Sequence, residues 1–230
     1  MTIRFTKMHG LGNDFMVIDA LSQPFSLTAS QIAALGRRDT GIGFDQCLIV
    51  EPSQHPGVDF FYRIFNADGQ EVGQCGNGAR CLARFIHHYK LSEKKELTVA
   101  THSTKMTLII NDDQTVTVNF GQPKLDPANI PLRAEKKQPF YTIIGNAHTS
   151  YNVHALNIGN PHAVMAVEDV RHADVNTIGT IISQHPDFPE GVNVGFMQIH
   201  APNHLSLRVF ERGCGETRAC GSGAVAAAVA

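Results

Sequence analysis

Two of the five cysteines lie in matching sequence contexts, and their chemistry is the most informative feature of the chain. Cys75 begins the run C-G-N-G-A, and Cys220 begins C-G-S-G-A. A strand-like segment precedes each cysteine, at residues 63–66 and 208–211, so strand and cysteine share one offset of 145 residues. This shared offset indicates two halves of the same design, each leading from a strand through a loop into a helix that starts at the cysteine.

A cysteine at a helix N-terminus lies beside unpaired backbone N–H groups, which favour negative charge. We therefore expect the pKa of the Cys75 and Cys220 thiols to fall from about 8.5 toward neutrality, so that a fraction of each is thiolate near neutral pH. The flanking glycines allow backbone amides to approach and hold a carboxylate. If the two halves face each other, one thiolate can take the α-proton of a bound amino acid. The opposite thiol then delivers a proton to the other face and inverts the stereocentre.

The remaining pattern predicts many short strands and few helices. Apolar residues at helical spacing predict a helix over residues 78–89, while start signals at Thr28 and Asp174 predict helices over 28–35 and 175–183. Strands are predicted at residues 4–8, 15–19, 46–50, 60–65, 97–100, 106–110, 115–120, 151–157, 163–167, 193–200 and 205–210. Long helix–strand alternation is missing, so we predict an α+β fold with antiparallel-leaning sheets.

A segment with three prolines, residues 121–131, predicts the crossing between the two halves. The N-terminal half, residues 1–120, carries Cys75, and the C-terminal half, residues 121–230, carries Cys220. The helix that Cys220 begins runs to the last residue, Ala230, without a glycine cap.

Composition and motif spacing exclude several functions. The chain has 230 residues, 43% of them hydrophobic and 17% charged, with a formal net charge of −2. This balance predicts no nucleic-acid or membrane partner, and no apolar run approaches the roughly 18 residues of a membrane span. The absence of C-x-x-C and H-E-x-x-H spacings predicts no disulfide framework and no metal site. No glycine loop completes a dinucleotide or phosphate motif. We expect a cytoplasmic protein.

The sequence does not indicate a catalytic role for the other three cysteines. Cys47 and Cys81 lie in apolar sequence, and we expect both to be small buried hydrophobic residues. Cys214 lies between glycines, and the sequence leaves its role open.

The chain resembles the diaminopimelate epimerase family in blocks spread from residue 9 to residue 224. The blocks are H-G-L-G-N-D-F from His9, G-F-D-Q from Gly43, F-N-A-D-G from Phe65, C-G-N-G-A-R from Cys75, G-N-P-H from Gly159, G-V-N from Gly191, E-R-G-C-G-E-T from Glu211 and A-C-G-S-G-A from Ala219. The resemblance implies a cofactor-free epimerase that interconverts LL- and meso-2,6-diaminopimelate in lysine and peptidoglycan precursor biosynthesis. It also implies two pseudo-symmetric α+β halves, each a mostly antiparallel sheet wrapped around a central helix, with the active site in the cleft between them.

The resemblance further implies a role for individual residues. Cys75 and Cys220 are expected to be the two acid–base residues, and His162 and Glu211 to tune the pKa of the thiols. The residues expected to bind substrate are Asn13, Gln46, Asn66, Gly76, Asn77, Asn160, Asn193, Glu211, Arg212, Gly221 and Ser222. Independently of the family, Arg212 can pair with a distal carboxylate as a planar fork, and Glu211 can take a distal ammonium. For each asparagine alone, a turn role is the alternative.

Members of that family continue past the helix led by Cys220, with strands that complete the second half and contribute to a dimer contact. We therefore expect this chain to be truncated at its C-terminus and the full-length family member to be a homodimer.

Three alternative functions stay open. A proline or hydroxyproline racemase would share the cysteines but have little use for Arg212 with Glu211. A non-catalytic binding protein is disfavoured by the intact cysteine pair, and a thiol redox or metal-binding protein by the missing spacings.

Overall fold

A computed structural model describes residues 2–145 and 149–230 of the chain. The chain divides into two units, one ending at Gly121 and the other spanning Gln122–Ala230. The first contains strands β1 (Thr6–Gly10), β2 (Asn13–Asp19), β3 (Gln46–Pro52), β4 (Phe60–Asn66), β5 (Glu71–Val72), β6 (Glu96–Ala100), β7 (Lys105–Ile110) and β8 (Val116–Asn119), with helices α1 (Ala29–Gly36) and α2 (Gly76–His88). The second contains β9 (Tyr141–Ile144), β10 (Ser150–Asn157), β11 (Pro161–Ala166), β12 (Asn193–Ala201), β13 (His204–Glu211) and β14 (Gly215–Thr217), with a 3-10 turn at Pro127–Asn129 and helices α3 (Val175–Ser183) and α4 (Gly221–Val229).

The strands of the first unit form one sheet in the order β1-β2-β3-β4-β6-β7-β8, with β5 beside β4. The β2–β3 and β4–β6 pairs are parallel and the others antiparallel. Helix α2 contacts β1 and β2 near one edge of the sheet and β7 and β8 at the other, so the sheet wraps around it. Leu82 and Ile86 of α2 are completely buried in the core between helix and sheet, together with Tyr62 of β4.

Helix α1 covers a second core, in which Ile32, Phe44 and Ile49 are buried. Its start is a capping box, because the Thr28 hydroxyl accepts from the Gln31 N–H and the Gln31 side chain accepts from the Thr28 N–H. The helix predicted from the Thr28 start signal is therefore confirmed.

The strands of the second unit form a sheet in the order β14-β13-β12-β11-β10-β9, in which the β11–β12 pair is parallel. Adjacent residues of β11, Ala163 and Val164, belong to different cores. Because side chains alternate along a strand, α3 and α4 cover opposite faces of this sheet. The predicted cap of α3 is confirmed, since the Asp174 carboxylate accepts from the Thr177 N–H at 3.2 Å.

The predicted α+β fold with mostly antiparallel sheets and few helices is confirmed, with local corrections. The first strand begins at Thr6 rather than residue 4 and extends to Gly10. Between the first two strands the chain makes a tight hairpin at Leu11 and Gly12, whose φ angles are 55° and 89°. Strands β5, β9 and β14 were not predicted. No helix in the described part of the chain is long and apolar enough to cross a membrane.

Candidate active site

Both repeat cysteines are the N-cap residues of their helices. Cys75 has extended backbone before α2, and its Sγ accepts a hydrogen bond from the Gly78 N–H at 3.3 Å. Cys220 precedes α4 in the same way, and its Sγ accepts from the Gly223 N–H at 3.4 Å. The sulfur thus occupies the place where Ser, Thr or Asp oxygens usually cap helices. Each thiol is fixed by the backbone of the helix that it begins.

The glycine three positions after each cysteine is closely packed. A Cβ atom at Gly78 would lie 3.2 Å from a methyl group of Leu48, and one at Gly223 would lie 3.0 Å from a methyl group of Val209. Both distances are tighter than ordinary van der Waals contact. The small residue therefore lets the backbone N–H stay on the sulfur.

An equivalent arginine–glutamate ion pair stabilises the loop before each cysteine. Arg63 donates two hydrogen bonds to the Glu71 carboxylate, at 2.9 and 2.8 Å. Arg208 donates two to Glu216, at 2.6 and 2.9 Å, and both members of this pair lie 145 residues after their counterparts. In each unit the glutamate lies on a short strand paired with the strand that carries the arginine. The repeat therefore includes the brace as well as the cysteine.

Polar side chains gather at one edge of the first sheet, where β2 and β3 begin and β4 ends. Gln46 lies opposite Asn66 in the register and donates to its side-chain oxygen at 2.9 Å. Asn13 Oδ1 faces the Cys75 sulfur at 3.8 Å and accepts from the Asn77 side chain at 3.4 Å. The structure thus joins Asn13, Asn77 and Cys75 in one cluster, while Gln46 and Asn66 pair with each other.

A chain of polar contacts leads from Cys220 into the second unit. Ser222 Oγ lies 3.5 Å from the Cys220 sulfur and 3.0 Å from His162 Nε2. The same His162 nitrogen lies 3.1 Å from Asn160 Oδ1. Ser222 and His162 are buried, with 5% and 0% of their surface exposed. The structure therefore links Cys220, Ser222, His162 and Asn160.

The remaining predicted residues of the second unit surround the end of β13. The Thr217 hydroxyl donates to the Glu211 carboxylate at 2.6 Å. Asn193 accepts from the Arg212 backbone N–H at 2.9 Å, and the Arg212 guanidinium donates to the carbonyl of Glu190. Arg212 is exposed. Glu211 and Arg212 are thus each held by a neighbour at the same end of the sheet.

The expectation of a lowered pKa is wrong for Cys220. Burial, and after it the charge of the Glu211 carboxylate, raise the pKa of the Cys220 thiol to about 12. Hydrogen bonds from Ser222 and the Gly223 N–H lower the pKa but do not compensate. The helix N-terminus is therefore outweighed by desolvation and by a nearby like charge. Cys220 is a protonated thiol near neutral pH in this structure, which is the form that delivers a proton.

His162 is neutral. Burial, and after it the charge of Arg212, lower the pKa of His162 to about 3. Its Nδ1 is buried and has no hydrogen-bond partner among the described residues. His162 therefore does not provide a positive charge that would stabilise a thiolate.

The other cysteines match their sequence interpretation in part. Cys47 and Cys81 are buried, and burial raises the pKa of their thiols to about 12 and about 11. Their predicted role as buried hydrophobic residues is confirmed. Cys214 is exposed. In residues 2–145 and 149–230, no group of three His, Cys, Asp or Glu side chains could hold a metal ion.

Three residues around the site were not predicted from the sequence. Asp45 accepts from the Asn13 side chain at 2.8 Å, and Arg80 donates to the Asn77 side chain at 2.7 Å. Thr217 holds the Glu211 carboxylate. All three lie inside the family blocks, so their place beside predicted residues was the available signal. Their partners depend on tertiary contacts that spacing does not show.

Comparison with known proteins defines the family. A profile of "Diaminopimelate epimerase" matches residues 5–125 and 154–230. The chain belongs to the diaminopimelate epimerase family. It is 61% identical over 228 residues to the diaminopimelate epimerase of Legionella pneumophila strain Paris, covering 99% of this chain and 82% of that protein. Its identity to the diaminopimelate epimerase of strain Corby is 60% with the same coverage. The family resemblance predicted from sequence is confirmed.

Solved structures show that this member of the diaminopimelate epimerase family shares its fold with other isomerases. A hydroxyproline epimerase from Agrobacterium vitis matches with a TM-score of 0.66 at 16% identity, covering 99% of this chain and 76% of that one. A probable proline racemase from Agrobacterium radiobacter K84 matches with a TM-score of 0.64 at 16% identity, covering 96% and 74%. At such identities the likeness concerns the fold alone.

Proposed function

We propose that this chain interconverts LL- and meso-2,6-diaminopimelate, with Cys75 and Cys220 as the two acid–base residues. The family and the names of its relatives supply the substrate and the reaction. The observation that carries the two-base mechanism is that both repeat cysteines cap their helices in the same way, each with its sulfur on the third backbone N–H. Two residues of one type suit a reversible reaction, because each is the base in one direction and the acid in the other.

The raised pKa of Cys220 assigns it the role of proton donor in the resting protein. In that direction Cys75 removes the α-proton, and Cys220 delivers a proton to the opposite face of the carbanion. In the reverse direction the roles exchange. The α-proton of an amino acid is weakly acidic, so negative charge must be stabilised as it develops. We assign this task to the backbone N–H groups of Gly76, Asn77, Gly221 and Ser222 at the two helix starts.

We also assign substrate recognition to the polar residues at the strand ends. Arg212 is exposed and held in place by Glu190 and Asn193, which presents its guanidinium for the distal carboxylate. Glu211 can take the distal ammonium, and the uncharged amides of Asn13, Gln46, Asn66, Asn160 and Asn193 can bind the remaining polar atoms. Substrates without distal groups are then disfavoured, because Arg212 and Glu211 would lose the partners that the distal carboxylate and ammonium provide.

The proposal is tested by offering the reduced protein LL-diaminopimelate, L-proline and trans-4-hydroxy-L-proline and following each by chiral chromatography. We expect epimerisation of diaminopimelate alone, its loss in Cys75→Ala and Cys220→Ala, and its retention in Cys214→Ala, which removes an exposed thiol. Faster turnover of either proline substrate favours a racemase of the same fold. Near-normal turnover by Cys75→Ala contradicts the two-base mechanism.

The setting of this activity is also part of the proposal. Two working thiols favour a reducing compartment, so we place the enzyme in the cytoplasm, in lysine and peptidoglycan precursor biosynthesis. The mechanism needs no cofactor, because both proton transfers are made by thiols. We expect a homodimer for full-length family members, which sedimentation velocity measures directly.

A further inference from the structure

The Asn13 side chain lies between a carboxylate and the Cys75 thiol. Its Nδ2 donates to Asp45 Oδ2 at 2.8 Å, and its Oδ1 faces the Cys75 sulfur at 3.8 Å. Asp45 is itself fixed, because Oδ2 also accepts from the Asp14 N–H at 3.0 Å and Oδ1 accepts from Arg38 at 2.6 Å. A network of charged groups therefore ends at an amide that touches a proposed catalytic sulfur.

Donor and acceptor chemistry determines which way the two amides of this cluster point. An ionised carboxylate only accepts hydrogen bonds and a guanidinium only donates them. Asp45 must therefore face the NH2 group of Asn13, and Arg80 must face the oxygen of Asn77, to which it donates at 2.7 Å. The Asn77 NH2 group is then left to donate to Asn13 Oδ1 at 3.4 Å. Both ends of the cluster enforce the same orientation.

We propose that Asp45 is a positioning residue that holds the Asn13 amide with its oxygen, not its NH2 group, toward the Cys75 thiol. The proposal rests on the catalytic role proposed for Cys75. An oxygen facing the sulfur accepts from the S–H group and disfavours the thiolate, whereas the Gly78 N–H favours the thiolate. Asp45 thus sets how the Cys75 proton is shared between two opposing contacts.

Loss of the Asp45 acceptor allows the Asn13 amide to turn its NH2 group to the sulfur. The 3.4 Å contact from Asn77 is the weaker restraint, because hydrogen bonds of this type are strongest near 2.9 Å. A donor in place of an acceptor shifts the pH midpoint of thiolate formation down by about one unit. A thiolate of lower pKa is also a weaker nucleophile, so alkylation below the midpoint rises by about threefold rather than tenfold.

The test measures iodoacetamide alkylation of Cys75 against pH, read by mass spectrometry on the peptide that contains it. We compare the wild-type chain with Asp45→Ala, Asp45→Asn and Arg38→Ala. Tyr62, whose ionisation the Cys75 thiolate opposes, is buried with its pKa raised well above the usual range, so it stays neutral during the assay. Arg38 keeps its charge throughout, because its hydrogen bond to Asp14 raises the pKa of the guanidinium. Although burial raises the pKa of the Asp14 carboxyl, hydrogen bonds from Arg38 and Lys7 outweigh it and hold the pKa below its usual range, so Asp14 stays ionised.

Asp45→Ala is expected to lower the alkylation midpoint by about one unit and to speed alkylation about threefold at pH 7. Asp45→Asn removes the same charge but keeps an oxygen for Asn13, so it should restore most of the wild-type midpoint. Arg38→Ala breaks the ion pair but leaves the Asp45 bond to Asn13, so its midpoint should stay near the wild-type value. Where Asp45→Ala does not fold, Asp45→Ser takes its place, because its shorter side chain withdraws the acceptor.

Two outcomes overturn the proposal. An Asp45→Ala midpoint equal to the wild-type value shows that Asp45 does not control the amide. An Asp45→Asn midpoint equal to that of Asp45→Ala shows that charge, and not amide orientation, acts on the thiol. Neither outcome depends on the substrate, since alkylation is measured without diaminopimelate. Failure of the proposed function would instead appear as a lack of epimerisation by the wild-type chain, with the alkylation profiles unchanged.

Discussion

The buried His162 predicts a specific loss of stability in mild acid. Its ring is completely buried, and its pKa is lowered from 6.5 to about 3. Below pH 6.5 the unfolded chain binds a proton that the folded chain does not, so stability is complete above 6.5 and falls as the pH decreases toward 3. A single group of this kind costs about 2 kcal/mol of unfolding free energy between pH 7 and pH 5.

The perturbation is His162→Gln, which keeps a nitrogen donor near Ser222 and Asn160 but does not titrate. The assay is urea unfolding at pH 7 and pH 5, read by hydrogen exchange on peptides from the second unit. We expect the wild type to lose about 2 kcal/mol more than His162→Gln across this range. His172→Gln is the matched control, because the His172 side chain is 81% exposed.

Asp14 does not interfere with this measurement. Hydrogen bonds and charges of Arg38 and Lys7 outweigh the burial that raises its pKa, and they hold the pKa well below 3.8. Its stability contribution is therefore present above 3.8 and is lost only at lower pH. Equal losses for wild type and His162→Gln between pH 7 and pH 5 would refute the assignment of a buried neutral histidine.

Three further predictions concern the active site. Arg212→Lys keeps the charge but loses the planar fork, so kcat/KM for diaminopimelate should fall by at least tenfold in steady-state assays; an unchanged value would place Arg212 outside the site. Arg63→Met removes the brace before Cys75, so hydrogen exchange in residues 67–75 should rise up to about fivefold, and unchanged exchange would contradict the brace. Because the proposed two-base mechanism requires both sulfurs to reach one carbon atom, air oxidation without substrate should give a reversible Cys75–Cys220 disulfide. A Cys214–Cys220 link in non-reducing peptide maps would oppose this.

The secondary structure was largely predictable because period and start signals are local. The Thr28 and Asp174 caps marked α1 and α3, and the apolar spacing marked α2. The three unpredicted strands β5, β9 and β14 are only two to four residues long. Pairing with a neighbouring strand, rather than their own periodicity, defines them.

The sequence predicts which residues form the candidate site, but not the contacts among them. The 145-residue repeat indicated both cysteines, and the structure shows both as helix caps. The pKa direction for Cys220 was wrong, because burial and the Glu211 charge arise from tertiary packing. The contact of Asp45 with Asn13 joins residues 32 positions apart, which no local pattern indicates.

The most direct test of the two-base mechanism is the fate of the α-proton in heavy water. LL-diaminopimelate is incubated with the reduced enzyme in D2O, and product and remaining substrate are analysed during the first few per cent of turnover. Separate bases predict that meso product carries deuterium at the inverted carbon from the first turnover, while recovered LL substrate keeps its proton. Meso product that retains the substrate proton, or LL substrate that gains deuterium as fast as product forms, would contradict the account and indicate a single base.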